Sequence, residues 1–166
     1  MKRYIPLGTR CNTATIVSSL GERNFSLPFD WIDISLKNIK KLINFSTQEL
    51  LDYLSQVDIA TKKHPDGTWF PHDVDEVNGP LSSVMMEKYA RRMGRFHNML
   101  DSDDELVFLT LMPMVDLQRN SLFDYDQLKE AITSKAKGKC TFITINLIAY
   151  EYAATNNIHP AVHHNF

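Results

Sequence analysis

The chain has 166 residues, 43% of them hydrophobic and 23% charged, with a net charge of −2. That size and balance fit one domain over residues 1–166 and carry no basic face of the kind nucleic-acid binders need. Cys11 and Cys140 are too few for a disulfide framework and too far apart for a zinc knuckle. The opening MKRYIPLGTRC lacks the apolar stretch of a secretory signal, and the apolar runs are only strand-length, so a cytoplasmic chain with free thiols and no membrane partner is expected.

Residues 3–7 (RYIPL) end at Gly8 and read as a strand, with Pro6 pointing to an edge position. Ile16, Val17 and Leu20 stand at helical spacing over 12–20, with Asn12 or Thr13 to cap the start and Gly21 to close the end. GTRCN is then a tight turn between strand and helix. Residues 22–34 are irregular but apolar, a segment packed against the body. Residues 35–54 predict two short helices broken near Asn44-Phe45-Ser46, and Ser46 with Glu49 is a capping-box pattern. Pro65-Asp66-Gly67 is a turn signal, with a short strand expected over Thr68 to Phe70.

Residues 82–100 carry the clearest helical stripe: Met86, Tyr89, Met93, Phe96 and Leu100, with Ala90 and His97 beside it. Arg91 and Arg95 fall one turn apart on the solvated face. Arg92 turns toward Tyr89 and Phe96, where a buried carboxylate such as Asp30 is a candidate partner. Residues 105–112 read as a buried strand, 124–137 as a helix ended by Gly138, and 139–148 as another apolar strand. No element is read beyond Tyr150. The expected fold class is α/β: a single domain with a mixed, mostly parallel sheet and helices on both faces.

The chemistry centres on Cys11, at the first strand-to-helix turn. A thiol attacks as its thiolate, and a helix N-terminus offers unpaired N–H groups and a partial positive charge that favour the anion. Arg10 would add positive field, and the N–H groups of Cys11 and Asn12 are candidates to face a developing oxyanion. The plain alternative is a small packed residue after a tight turn; Cys140, inside an apolar strand, reads as core. A nucleophilic cysteine needs an imidazole, and the imidazole an orienting group. Among the histidines, His97 lies on an apolar helix face and reads as packing. His72, in WFPHD, is the preferred base. The third group is open between Asp30, Asp73, Asp116 and Asn146, with Asp30, between Phe29 and Trp31, taken first. Trp31, Trp69 and Phe70 are candidate walls of a substrate pocket.

Two other readings compete. The Gly8–Asn12 turn with Arg10 suits a phosphate or carboxylate, with Arg91, Arg92 and Arg95 to extend the site. Alternatively the turn only packs, and there is no catalysis. His159, His163 and His164 have metal-like spacing, but Pro160 interrupts them and no third ligand type is near. No metal and no cofactor are therefore expected.

LGTRCNTA, PFDWI, FPHD and then KYARRMGRF followed by a strand together resemble a domain family of unknown function described as putative papain-like cysteine peptidases, found in bacteria and large viruses. The resemblance covers most of residues 4–112. It implies a cysteine nucleophile at Cys11 and a histidine partner at His72. The function this points to is cysteine-dependent hydrolysis of an amide, isopeptide or thioester in a peptide or small-molecule substrate.

Overall fold

The computed structural model describes residues 1–9, 11–22, 24–58, 60–72, 83–113 and 120–147. In chain order these form β1 (Lys2–Pro6), α1 (Asn12–Ser19), α2 (Leu36–Leu42), α3 (Thr47–Leu54), α4 (Ser83–Leu100), β2 (Glu105–Pro113), α5 (Leu122–Thr133) and β3 (Cys140–Leu147). The strands make a sheet of order β1-β2-β3, in register Lys2↔Glu105 and Leu106↔Cys140. Both pairings are parallel, so among the described residues the sheet is wholly rather than mostly parallel. Helical connections between successive strands return the chain to the same end each time, which enforces that direction.

Alternation along the strands sends side chains to two covered faces. On one face Val107 and Leu109 pack with Tyr4, Ile143 and Ile145 under Ile16 and Val17 of α1. On the other, Ile5, Leu106, Phe108 and Phe142 join the main core with residues of α2, α3, α4 and α5. There Phe108 stacks on Phe142 with ring centroids 5.1 Å apart, and Phe29 meets Phe96 edge-on at 5.5 Å. Fully buried side chains such as Phe29, Phe96 and Phe108 each contribute about 1.5–3 kcal/mol, against at most about 1 kcal/mol for an exposed ion pair. The core therefore outweighs surface pairs such as Lys139–Glu105.

The helix starts follow side-chain chemistry. Ser35 caps α2 by accepting from the Asn38 N–H, and Ser46 and Glu49 close the expected capping box on α3. A second box, Ser121 with Asp124, starts α5 before the expected 124. The same helix ends at Thr133, short of Gly138. Gly138 is instead a close approach: a Cβ there would lie 1.9 Å from the Asp104 carbonyl oxygen. On α4, Tyr89, Met93, Phe96 and Leu100 are buried as expected, together with Met85 and Arg92. Arg95 departs from the solvated face. Its guanidinium lies 5.3 Å from the Phe25 ring and donates to the Ser26 carbonyl at 3.4 Å. Its aliphatic stem and flat head cover apolar surface that water would otherwise meet. Among the described residues no helix is long and apolar enough to cross a membrane.

Candidate active site at the first strand-to-helix turn

The last backbone rung between β1 and β2 runs from the Leu7 N–H to the Leu109 carbonyl at 2.7 Å. Odd-numbered residues of β1 therefore bond to β2, and Pro6, on the other parity, sits where its missing N–H costs no ladder bond. The chain then leaves the sheet through two consecutive left-handed residues, Gly8 at φ +25° and Thr9 at φ +60°. Gly8 is required twice over: by its φ, and because a Cβ would lie 2.6 Å from Ile34 Cγ2 and 3.1 Å from Ile39 Cδ1. Thr9 is a β-branched residue in a region that such residues rarely adopt. It is buried, and its hydroxyl donates to the Leu111 carbonyl.

Cys11 follows as the N-cap residue of α1, with helical φ −62° and ψ −14°. Asn12 is thus the first residue of the helix, and neither Asn12 nor Thr13 caps it. A thiol is a poor acceptor, and no side chain caps this end. The Thr15 N–H and hydroxyl both donate to the Cys11 carbonyl, at 3.2 and 3.4 Å. That leaves the side chain of Cys11 half-exposed at the carboxyl end of a parallel sheet, where ligands of such sheets bind. Its Sγ lies 3.7 Å from Asn12 Oδ1, a thiol-to-amide contact. Cys11 and Asn12 are therefore together, while Arg10 lies outside the described residues.

His72 is exposed and is positioned by loop pairing. Asp33 and Trp69 exchange N–H···O bonds at 2.9 and 2.8 Å, which lays the 62–70 loop along residues 30–34. The pairing brings His72 edge-on to Trp31, with ring centroids 6.1 Å apart and planes at 81°. Asp30 is fully buried, and its Oδ2 accepts from the Leu27 N–H at 2.8 Å. Of the other candidates for a third group, Asn146 stands on β3 opposite Met112. Asp73 and Asp116 lie outside the described residues, as do His159, His163 and His164. Trp31 and Trp69 keep exposed surface, and Phe70 is buried edge-on to Tyr89. Among the described residues no group of three or more His, Cys, Asp or Glu is arranged to hold a metal ion.

The sequence reading missed a polar cluster at the 62–70 loop, in which Asn38, Tyr53, His64 and Thr68 are buried and Asp66 reaches the surface. The Tyr53 hydroxyl reaches Asp66 Oδ2 at 3.0 Å and Thr68 Oγ1 at 2.9 Å, and Asn38 donates to Thr68 Oγ1 at 3.2 Å. His64 stacks on Tyr53 with centroids 3.7 Å apart. Its Nδ1 faces Asp66 twice: protonated, it donates to Oδ1 at 2.9 Å; unprotonated, it accepts from the N–H at 3.1 Å. Burial, reinforced by the neighbouring Asp66 charge, pushes the Tyr53 hydroxyl well above its usual range. Burial also works to raise Asp66, but bonds from Thr68, His64 and Tyr53 outweigh it and hold the carboxyl below its ordinary value. Only the Pro-Asp-Gly turn was a readable signal for this cluster.

No solved structure matches this chain. It is 28% identical to an uncharacterized protein of Acanthamoeba polyphaga mimivirus over 64% of this chain and 60% of that protein. The chain thus spans under two thirds of the relative's length. A family model described as putative papain-like cysteine peptidase matches residues 2–153. The match includes the Cys11 turn, the PFDWI segment and His72, and on that extent the chain belongs to the putative papain-like cysteine peptidase family.

Proposed function

We propose that this chain is a cysteine-dependent hydrolase of the cytoplasm that cleaves an amide, isopeptide or thioester, with Cys11 as nucleophile and His72 as base. The observation that carries the reading is the seat of Cys11: a half-exposed thiol at the uncapped N-terminus of α1, at the carboxyl end of the sheet, in a family described as cysteine peptidases.

In the proposed cycle the Cys11 proton passes to the His72 imidazole and the thiolate attacks the substrate carbonyl carbon. The carbonyl oxygen takes negative charge, which the N–H groups of Cys11 and Asn12 stabilise. The His72 imidazolium then protonates the leaving amine or thiol, the C–N or C–S bond breaks, and a thioester to Cys11 remains. A water gives its proton to His72, its oxygen attacks the thioester, and the carboxylic acid leaves as Sγ is reprotonated. Asn12 has a role at each stage. Its Oδ1 accepts from the thiol in the resting state, and a flip of the amide turns Nδ2 to the thiolate.

A helix N-terminus also suits a bound anion. A half-exposed sulfur at that point favours the covalent reading over simple anion binding, which uses the backbone N–H groups and makes no use of the thiol. The test is trapping with an activated acyl thioester, read by mass spectrometry of the Cys11 peptide. An acyl adduct on Cys11 that accumulates in wild type and is lost in His72→Ala is expected. No adduct, or equal acylation of Cys140, overturns the proposal.

A further inference from the structure

We propose that Thr9 is a positioning residue for Cys11: its side chain takes the next rung of the β1–β2 ladder and so fixes the turn that presents the thiol. The inference rests on the reading of Cys11 as the nucleophile and extends it to a residue that touches no substrate.

The ladder geometry carries the argument. In a parallel pair the rungs recur every two residues. After Leu7 N–H to Leu109 O, the next rung would be Thr9 N–H to Leu111 O. That carbonyl is taken instead by the Thr9 hydroxyl. The substitution keeps the β2 acceptor satisfied while the backbone leaves the sheet, which an unbroken strand would not allow. The left-handed φ of +60° at Thr9 is costly for a β-branched residue and persists only where the surroundings impose it. Two constraints are visible: the hydroxyl bond to the central strand, and Gly8 pressed onto Ile34 and Ile39 beneath. Between this anchor and Cys11 lies one residue. Misplacement of a reacting atom by about 1 Å costs roughly a hundredfold in rate, so an anchor two residues from the sulfur bears on its chemistry.

The substitutions separate the hydroxyl from the shape. Thr9→Val keeps the β-branch and loses the donor. Thr9→Gly accepts the left-handed φ without strain and also loses the donor, so it serves if the valine variant fails to fold. Thr9→Ser keeps the donor. For the full chain, two quantities are measured at neutral pH: the iodoacetamide alkylation rate of Cys11 relative to Cys140, and amide hydrogen exchange over residues 9–15. Thr9→Val and Thr9→Gly are expected to slow Cys11 roughly tenfold or more and to speed exchange in the turn, while Thr9→Ser stays near wild type in both. The proposal is overturned if Cys11 keeps its rate in Thr9→Val and Thr9→Gly, or if Thr9→Ser loses as much as Thr9→Val. A wild-type Cys11 no faster than Cys140 defeats the nucleophile reading instead. Turn exchange then decides alone whether Thr9 anchors the turn.

Discussion

Two of the turns that carry left-handed backbone use it differently. In the 62–70 loop, Lys62 and Gly67 have φ of +59° and +88°, and the polar groups around them close on one another: Tyr53, His64, Asp66, Thr68 and Asn38 bond within one cluster. At the first turn, Gly8 and Thr9 are also left-handed, yet they lead to a half-exposed thiol on an uncapped helix. A strained turn whose polar groups bond to one another holds a loop in place. One that presents a reactive atom at a helix N-terminus is equipped for chemistry.

The largest expected effect lies in the first turn. Cys11→Ala should lower thioester hydrolysis by about a thousandfold or more, and His72→Ala by about a hundredfold or more, while Cys140→Ala stays near wild type in steady-state turnover. Equal losses for both cysteines would erase the contrast. The second effect belongs to the loop. Asp66→Ala removes the acceptor shared by Tyr53 and Thr68 and should destabilise the fold by about 1–3 kcal/mol in urea, with Cys11 alkylation unchanged. The glycines sharpen the contrast further. Gly8→Ala meets Ile34 and Ile39 and should cost about 1–3 kcal/mol. Gly67→Ala meets nothing within 4 Å and should cost only the left-handed penalty of about 1–2 kcal/mol, both read as shifts in the urea midpoint. The smallest effect is acid dependence. The Asp66 carboxyl is lowered in the folded state, so its contribution is present above the unfolded value near 3.8 and is lost as pH falls through the folded one. Asp66→Asn should flatten that acid limb in pH-resolved unfolding.

Much of the scaffold was legible because it follows period and punctuation. The stripe Tyr89, Met93, Phe96 and Leu100 marked α4, Ser46 with Glu49 marked the start of α3, and the apolar runs at 105–112 and 139–148 marked β2 and β3. The turn at Cys11 was legible because Gly8 interrupts an apolar run just before a helical pattern. What escaped was set by contacts distant in sequence. Gly138 looked like a helix stop because nothing in its neighbourhood announces the Asp104 carbonyl against it. Thr9 looked like an ordinary turn residue because its bond to Leu111 spans the molecule. Asp66 and Tyr53 find one another only after α3 packs beside the loop.

The central claim is that the two cysteines differ in kind. Both are half-exposed, but Cys140 stands on β3, where partial burial pushes its thiol up and slows it, whereas Cys11 stands at a helix N-terminus. The most direct measurement is site-resolved iodoacetamide alkylation of the folded chain at pH 7, quantified by mass spectrometry of both peptides. The account predicts that Cys11 is labelled about tenfold or more faster than Cys140 and that the difference vanishes on unfolding. Equal rates in the folded chain would contradict it.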